Sequence, residues 1–213
     1  MTNKNSIVSL KSIRWVSIIL IVILAGFLLL RELNPPIQQA TQSSGRAAIG
    51  GNFTLTNHHG EEVTQADFLG KPALLFFGFT HCPDICPTAL QQMGVAMQIM
   101  GKDAPKVQAI LITVDPQRDT PELLAQYVSL NGFPENLVGL TGTDEQIEAV
   151  AKTWAVYYQR SGEADEDYDM DHSTIIFLMA ANGEFVTGFS HNDSPELIAS
   201  CLTNHLAGRP CRR

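Results

Sequence analysis

The sequence predicts an α/β domain, a mixed β-sheet flanked by helices, that follows an N-terminal transmembrane helix. Three observations support this fold class. Short apolar runs alternate with helical stretches from residue 53 onward, which is typical of a sheet covered by helices. The last two apolar runs are separated by a tight turn at Ala181-Asn182-Gly183, which predicts a hairpin at the end of the domain. An uncharged run near the N-terminus has nearly the length of a membrane span.

The N-terminal anchor is predicted over residues 1–31. Residues 15–30 carry no charge, and Lys4, Lys11 and Arg14 precede them. With its flanks this run approaches the length of about 20 residues that a spanning helix needs. The preceding positive charges predict a cytoplasmic N-terminus. We therefore expect a single-pass anchor in the inner (cytoplasmic) membrane, with the domain on the periplasmic, extracytoplasmic side.

A cleaved signal peptide is the alternative interpretation of this segment. The apolar segment of a signal peptide is usually shorter than this run, and a small-residue cleavage site follows it closely. Here the small residues Ala47 and Ala48 lie far downstream of the apolar run. The length of the run therefore favours an uncleaved anchor.

The rest of the chain divides into a linker, a domain and a short tail. Residues 34–51 are rich in Pro, Gln, Ser, Ala and Gly, which predicts a flexible linker, and we assign the linker to 32–49. We assign 50–208 to the folded domain and 209–213 to the tail. All 22 Asp and Glu but only 11 of the 14 Lys and Arg follow residue 30. This acidic balance argues against nucleic-acid binding, because phosphates would be repelled.

Apolar runs of strand length define the predicted sheet. The runs 74–79 and 107–114 are continuous, as expected for strands buried on both faces. Turn-forming residues at 57–60 separate two further strands near Phe53 and Val63. The remaining predicted strands are 137–140, 174–179 and 184–189.

Four helices are predicted between or after these strands. The first runs from about Asp84 to Met100 and ends at Gly101. The other three have start signals: an N-cap residue before a proline, or a reciprocal capping box. These signals are Thr120 before Pro121, Thr143 with Gln146, and Ser194 before Pro195.

Two cysteines lie where the 74–79 strand passes into the first helix, in the motif Thr80-His81-Cys82-Pro83-Asp84-Ile85-Cys86-Pro87. Such strand ends are where open α/β sheets place their sites. Cysteines four positions apart share one face of a helical turn, and a helix N-terminus lowers the pKa of a thiol. Low-pKa thiolates serve metal binding and redox chemistry equally. The motif alone therefore leaves a metal site, a redox pair and a structural disulfide open.

A third ligand would have to come from elsewhere in the chain. Two thiolates with an imidazole suit Cu(I), whereas zinc requires four ligands. Among the histidines, His172 stands out because it directly precedes the 174–179 strand. From position alone, a core or capping role for His172 stays open. His81 neighbours Cys82, but adjacent residues rarely face one centre, and we expect it to point away.

Three separate motifs in order carry a family resemblance. They are Phe79-Thr80-His81-Cys82-Pro83-Asp84-Ile85-Cys86-Pro87, Thr113-Val114-Asp115-Pro116-Gln117-Arg118-Asp119-Thr120 and Asp171-His172-Ser173-Thr174, followed by Asn182-Gly183-Glu184-Phe185. With these motifs the chain resembles the Sco/SenC family of copper-binding cytochrome c oxidase assembly proteins. The resemblance implies a thioredoxin-like fold and a metal site of Cys82, Cys86 and His172. It also implies a copper ion, Cu(I) or Cu(II), and a role in building the binuclear copper centre of the oxidase.

We therefore expect a copper chaperone rather than an enzyme. Its partners would be the copper-accepting subunit of cytochrome c oxidase, a copper donor protein and the membrane. The alternative is a thiol-disulfide reductase that keeps the cysteines of the oxidase subunit reduced. Thioredoxin-type enzymes have two residues between their cysteines, whereas three separate Cys82 from Cys86. A proline opposite the cysteines is also typical of those enzymes, and none occurs in residues 170–177.

Several other features have ordinary structural interpretations. A stripe of Cys86, Leu90, Met93, Met97 and Met100 at helical spacing is read as core packing, not a copper path. Four further features keep two interpretations each. Asp84 and Asp171 are ligand-orienting or solvent-exposed groups, and the acidic stretch 163–171 is a solvated loop or a mobile flap. Asp115 and Arg118 form a structural motif or a partner contact, and Cys201 with Cys211 form a disulfide or remain free thiols.

Overall fold

The computed structural model describes Leu20, Leu24 and residues 49–162 and 168–211. The chain forms two compact units, 1–47 and 48–213. In the first unit Leu20 and Leu24 are helical and exposed. None of the helices found among the described residues has the length and apolarity to cross a membrane. The predicted anchor, and the linker up to residue 48, lie otherwise outside the described residues.

A seven-stranded mixed sheet forms the centre of the second unit, as predicted. Its strands are β1 (Thr54–Asn57), β2 (Glu62–Thr64), β3 (Ala73–Gly78), β4 (Gln108–Thr113), β5 (Leu137–Thr141), β8 (Ile175–Met179) and β9 (Phe185–Ser190). Their spatial order is β2-β1-β5-β4-β3-β8-β9. β3 runs parallel to β4 and β4 parallel to β5, whereas the other pairs are antiparallel.

β3 lies between β4 and β8, and every one of its residues is buried. A strand covered on both faces needs apolar side chains at every position rather than at alternate ones. The continuous run 74–79 predicted this location from the sequence. Because β3 leads directly into the cysteine motif, that motif begins from a fully packed strand.

Four α-helices cover the sheet, and the start signals of the last three operate as predicted. Thr120 and Ser194 accept hydrogen bonds from the backbone N–H groups of Leu123 and Leu197. Thr143 and Gln146 cap each other's backbone reciprocally. The helices are α1 (Ile85–Met100), α2 (Pro121–Val128), α3 (Asp144–Thr153) and α4 (Pro195–Leu206), and short 3-10 helices occupy Gln65–Phe68 and Gly101–Lys106.

α1 packs into the core through the predicted stripe. Cys86, Leu90, Met93, Met97 and Met100 are all buried, at 8% exposure or less. Their interpretation as core packing is confirmed. The methionines therefore anchor the helix whose first turn carries Cys86, and they do not line a surface path.

A separate two-stranded sheet, β6 (Tyr158–Ser161) with β7 (Asp169–His172), is the main element that the sequence did not predict. We call it the His172 hairpin. Each of its strands has two half-buried and two exposed residues, and both lack the run of apolar side chains that signals a strand. The predicted loop 163–171 is thus partly strand, and its first five residues lie outside the described part of the chain.

A disulfide joins Cys201 in α4 to Cys211 in the tail. Cys201 is fully buried, and the Cα atoms are 4.6 Å apart. The pairing that an oxidising compartment favours is thus present. It fixes the tail to the last helix.

Gly94 tests how closely α1 packs. A Cβ added at Gly94 would lie 2.1 Å from the carbonyl oxygen of Gly132. Ala normally stabilises a helix relative to Gly by about 1 kcal/mol, but overpacking costs about 1–3 kcal/mol. We expect Gly94→Ala to lower the free energy of unfolding, as measured by urea denaturation. The exposed Gln98→Ala on the same helix is the control, and a stabilised Gly94→Ala protein would contradict the packing.

Cys211→Ser tests the disulfide without placing a hydroxyl in the buried position of Cys201. The bond closes a loop with a sequence separation of 10 residues, for which loop-closure entropy gives roughly 2–3 kcal/mol. We expect urea denaturation to show this loss under oxidising conditions and little difference in excess reductant. Equal stability of the oxidised proteins would show that the bond contributes nothing.

Candidate metal centre

The two cysteines flank the start of α1. Cys82 is half-buried in the turn after β3, and Cys86 is buried in the first turn of the helix. The backbone N–H of Cys86 lies 3.4 Å from Cys82 Sγ, to which it donates. Their spacing of four positions thus brings both sulfurs to the N-terminal end of α1, as the motif predicted.

Gly78 lets the sulfur of Cys86 approach β3. A Cβ at Gly78 would lie 3.0 Å from Cys86 Sγ and 2.7 Å from the ring of Phe76. Both contacts are closer than side-chain carbons normally make. The last residue of β3 is therefore glycine because the sulfur occupies the space above it.

His172 ends β7 and reaches the same sulfur. Its Nε2 lies 3.3 Å from Cys86 Sγ, and its Nδ1 lies 2.9 Å from the backbone oxygen of Ser173. A carbonyl oxygen only accepts, so we assign the proton to Nδ1, which leaves the lone pair of Nε2 facing the sulfurs. The rings of Phe76 and Phe79 pack edge-on against the imidazole at centroid distances of 5.9 and 5.7 Å.

The donor atoms of Cys82, Cys86 and His172 all lie within 4.8 Å of one another. Bonds of about 2.0–2.3 Å from nitrogen and sulfur to a metal allow one ion to contact all three with small adjustments. The structure thus brings together the three residues singled out in the sequence. Two sulfurs and one imidazole nitrogen form a soft donor set.

The two thiols differ strongly in acidity. A hydrogen bond from the Cys86 thiol, aided by the backbone N–H groups of Cys86 and Asp84, lowers the pKa of Cys82 to about 3. The same interaction with Cys82, together with burial, raises the pKa of Cys86. At neutral pH Cys82 is therefore the thiolate and Cys86 keeps the proton they share.

A buried carboxylate holds the turn that precedes Cys82. Asp119 is fully buried and accepts hydrogen bonds from the Thr80 backbone N–H at 3.0 Å, from the Thr80 hydroxyl at 2.6 Å and from the Thr113 hydroxyl at 2.6 Å. Burial raises the pKa of Asp119, although these hydrogen bonds oppose the rise. This role of Asp119 was not predicted from the sequence. The available signal was a pair of threonines, Thr80 directly after the apolar run 74–79 and Thr113 at the end of β4. Each of these hydroxyls needs a hydrogen-bond acceptor.

Asp115 and Arg118 form a buried cluster with Tyr168. Asp115 is 2% exposed and pairs with Arg118. Tyr168 donates its hydroxyl to Asp115 at 2.6 Å, and Arg118 Nη1 donates to the backbone oxygen of Tyr168 at 3.0 Å. Burial and the adjacent Asp115 carboxylate raise the pKa of Tyr168. The two residues of the motif thus have a structural role, and Tyr168 is a member that the sequence did not reveal.

The neighbouring polar residues make other contacts. His81 Nδ1 lies 3.0 Å from the Thr80 hydroxyl and 4.0 Å from Asp119, outside the three-residue group, as expected. Asp84 acts on Cys82 through its backbone N–H, and its carboxylate accepts from Thr88 at 3.4 Å. Asp171 is exposed.

The chain is similar to known proteins over most of its length. The sequence model of the SCO1/SenC family matches residues 41–207. The human protein "SCO1 homolog, mitochondrial" is 41% identical over 175 residues, which is 79% of this chain and 56% of that protein. The chain thus spans little more than half the length of that relative.

Solved structures show the same similarity. The structure of Bradyrhizobium japonicum ScoI with copper bound has 45% sequence identity and a TM-score of 0.68, covering 74% of this chain and 99% of that one. Yeast Sco1 with copper bound has 33% identity and a TM-score of 0.68, covering 75% of this chain and 89% of that one. Because the family model matches residues 41–207 and the human relative is 41% identical, the chain belongs to the SCO1/SenC family.

Proposed function

We propose that this protein binds one copper ion through Cys82, Cys86 and His172 and delivers it to the copper-accepting subunit of cytochrome c oxidase. The observation that carries the proposal is the convergence of the three donor atoms within 4.8 Å. The role in building the binuclear copper centre is the one implied by the family resemblance.

Copper suits this donor set better than other metals. Thiolate and imidazole ligands favour Cu(I), and a structural zinc site would require a fourth ligand. No other His, Cys, Asp or Glu among the described residues joins the group. Relatives with 45% and 33% identity hold copper in their structures. Cu(I) is the form we propose for delivery, and Cu(II) is the alternative oxidation state.

The site is built for ligand exchange. Cys82 is half-buried, so one of the two sulfurs is accessible to an incoming ligand. An ion with three ligands has room for a fourth from a partner, which can replace the original ligands one at a time. Copper would enter from a donor protein and leave to cysteine and histidine ligands of the oxidase subunit in this way.

The disulfide and the N-terminal charge pattern support an extracytoplasmic location for the domain. Disulfides persist in oxidising compartments, and Cys201 is paired with Cys211. We propose the arrangement predicted from the sequence: an anchor in residues 1–31, a linker in 32–49, and a copper-binding domain in 50–208 on the extracytoplasmic side of the membrane.

A thiol-disulfide reductase is the second candidate function. The observation that favours it is the acidity of Cys82 beside the protonated Cys86, because a thiolate next to a thiol can attack a disulfide and then resolve it. The position of His172 separates the two functions. A reductase has no need of an imidazole nitrogen facing the sulfurs, whereas a copper site does.

Titration with Cu(I) tests the copper site. Under anaerobic conditions and with a competing chelator, we expect one tightly bound Cu(I) per chain. His172→Ala should bind about 100-fold more weakly, since losing one of three ligands removes roughly 3 kcal/mol at 1.4 kcal/mol per tenfold change. Cys82→Ser, which replaces a soft ligand by a hard one, should weaken binding further.

His81→Ala is the matched control for that titration. It removes a histidine next to Cys82 that lies outside the donor group, and we expect wild-type affinity. Undiminished Cu(I) affinity in either His172→Ala or Cys82→Ser would refute the three-ligand site. Such a result would favour the reductase, whose disulfide turnover should then proceed without His172.

Alkylation of the copper-free reduced protein tests the acidity of Cys82. Its folded-state pKa lies below the usual value, so the thiolate persists as pH falls. Between about pH 5 and 8, iodoacetamide should modify Cys82 at a nearly constant rate, whereas an ordinary thiol with a pKa of about 8.5 slows roughly tenfold per pH unit. Mass spectrometry of peptides identifies the modified cysteine. In Cys86→Ala the principal hydrogen-bond donor is lost, and ordinary pH dependence should return. A steep pH dependence in the wild-type protein would contradict the assignment.

A further inference from the structure

We propose that Tyr168 is a latch that positions His172, by fixing the His172 hairpin to the 113–120 segment after β4. The inference rests on the proposed copper site and adds a positioning residue to it. Tyr168 has no contact with a proposed ligand among the described interactions. It acts through the strand that it precedes, since β7 begins at the next residue and ends at His172.

The His172 hairpin needs such a fixation because it lies outside the main sheet. β6 and β7 pair only with each other among the described strands. At the end near His172, the hairpin is held by Ser173 N–H donating to Tyr157 O at 2.9 Å and Tyr157 N–H donating to Ser173 Oγ at 3.1 Å. Both residues flank the hairpin strands, so these two bonds do not connect the hairpin to another part of the domain. Among the described residues, three hydrogen bonds connect Tyr168 and the hairpin to the 113–120 segment. They run from Tyr168 to Asp115, from Arg118 to Tyr168 and from Arg160 to Gln117.

Tyr168 makes two cation–π contacts and two hydrogen bonds. The guanidinium of Arg118 lies 3.7 Å from its ring centroid, and that of Arg160 lies 3.6 Å from it. The hydroxyl donates to the buried Asp115, and the backbone oxygen accepts from Arg118. Arg160 is itself tied to Gln117 by a hydrogen bond of 2.7 Å. Cation–π contacts of this kind are strongest where the cation is desolvated, and Arg118 has only 17% of its side chain exposed.

The segment that receives the latch also holds the cysteine turn. Asp119 binds Thr80 through two hydrogen bonds, and Asp115 binds Tyr168. The turn with Cys82 and the hairpin with His172 are therefore both bonded to the 113–120 segment. Release of Tyr168 would leave the bond from Arg160 to Gln117 as the one described hydrogen bond between the hairpin and this segment. The hairpin would then be held loosely while the cysteine pair stays in place. The centre would then offer two ligands instead of three.

Two substitutions of Tyr168 separate its contributions. Tyr168→Leu removes both the stacked ring and the hydroxyl, and we expect Cu(I) affinity to fall about 10–100-fold, the range for residues that orient metal ligands. Tyr168→Phe keeps the ring between the guanidinium groups but removes the hydroxyl that donates to Asp115, so we expect a smaller loss of affinity than in Tyr168→Leu. Tyr157→Leu is the matched control. That tyrosine is 59% exposed, bonds to Gln159 and does not contact the 113–120 segment in any described interaction, so its variant should bind Cu(I) like the wild-type protein.

A double-mutant cycle shows whether Tyr168 acts through His172. If it does, Tyr168→Leu combined with His172→Ala should bind Cu(I) no more weakly than His172→Ala alone. X-ray absorption at copper should show the nitrogen ligand lost in Tyr168→Leu and both sulfurs retained. Independent, additive losses would overturn the proposal, as would a full nitrogen contribution in Tyr168→Leu.

Amide hydrogen exchange of the copper-free protein tests the latch without copper. In Tyr168→Leu we expect exchange of the β6 and β7 amides to rise about tenfold or more, as for a locally opened unit, while β3 amides stay protected. Unchanged exchange in β6 and β7 would overturn the latch even if copper binds as proposed. Faster exchange in a protein whose wild-type form fails to bind copper would support the latch and refute the proposed function, so the two failures are distinguishable. Loss of protection throughout the domain would show a general folding role for Tyr168 and would also overturn the latch.

Discussion

The buried carboxylates of Asp115 and Asp119 are the constraint on which the metal centre depends. Each needs hydrogen-bond donors, because an unpaired buried charge is strongly unfavourable. Asp119 obtains them from Thr80 and Thr113, and Asp115 obtains them from Arg118 and Tyr168. Satisfying these two groups draws the cysteine turn and the His172 hairpin toward one segment. The cysteine motif is joined directly to the hairpin by the contact between Cys86 and His172.

The packing of β3 and α1 supplies the rigid half of the site. β3 is buried on both faces, and α1 is anchored by its methionine stripe. Gly78 allows the Cys86 sulfur to pack against the end of that strand. The other half, the His172 hairpin, is a two-stranded sheet in which half of the residues are exposed. A rigid thiol pair facing an imidazole on a separate small sheet would suit the proposed binding and release of copper.

Local signals predicted much of this fold. The continuous apolar run of β3, the capping box of α3 and the start of α1 at the cysteine motif each depend on neighbours in the chain. The hairpin and its latch could not be predicted in this way. Tyr168 and Asp115 are 53 positions apart, and Thr80 and Asp119 are 39 apart. His172 was singled out by position and assigned by family resemblance, because its distance to Cys86 depends on these long-range pairs.

The unequal acidity of the cysteines sets the proton balance of metal uptake. Cys82 is already a thiolate at neutral pH, and Nδ1 of His172 keeps its proton on Ser173 O. Binding a metal therefore displaces one proton, that of Cys86, rather than two. Because metal affinity changes with pH in proportion to the protons released, the affinity of such a centre would fall less steeply with decreasing pH than that of a pair of ordinary thiols.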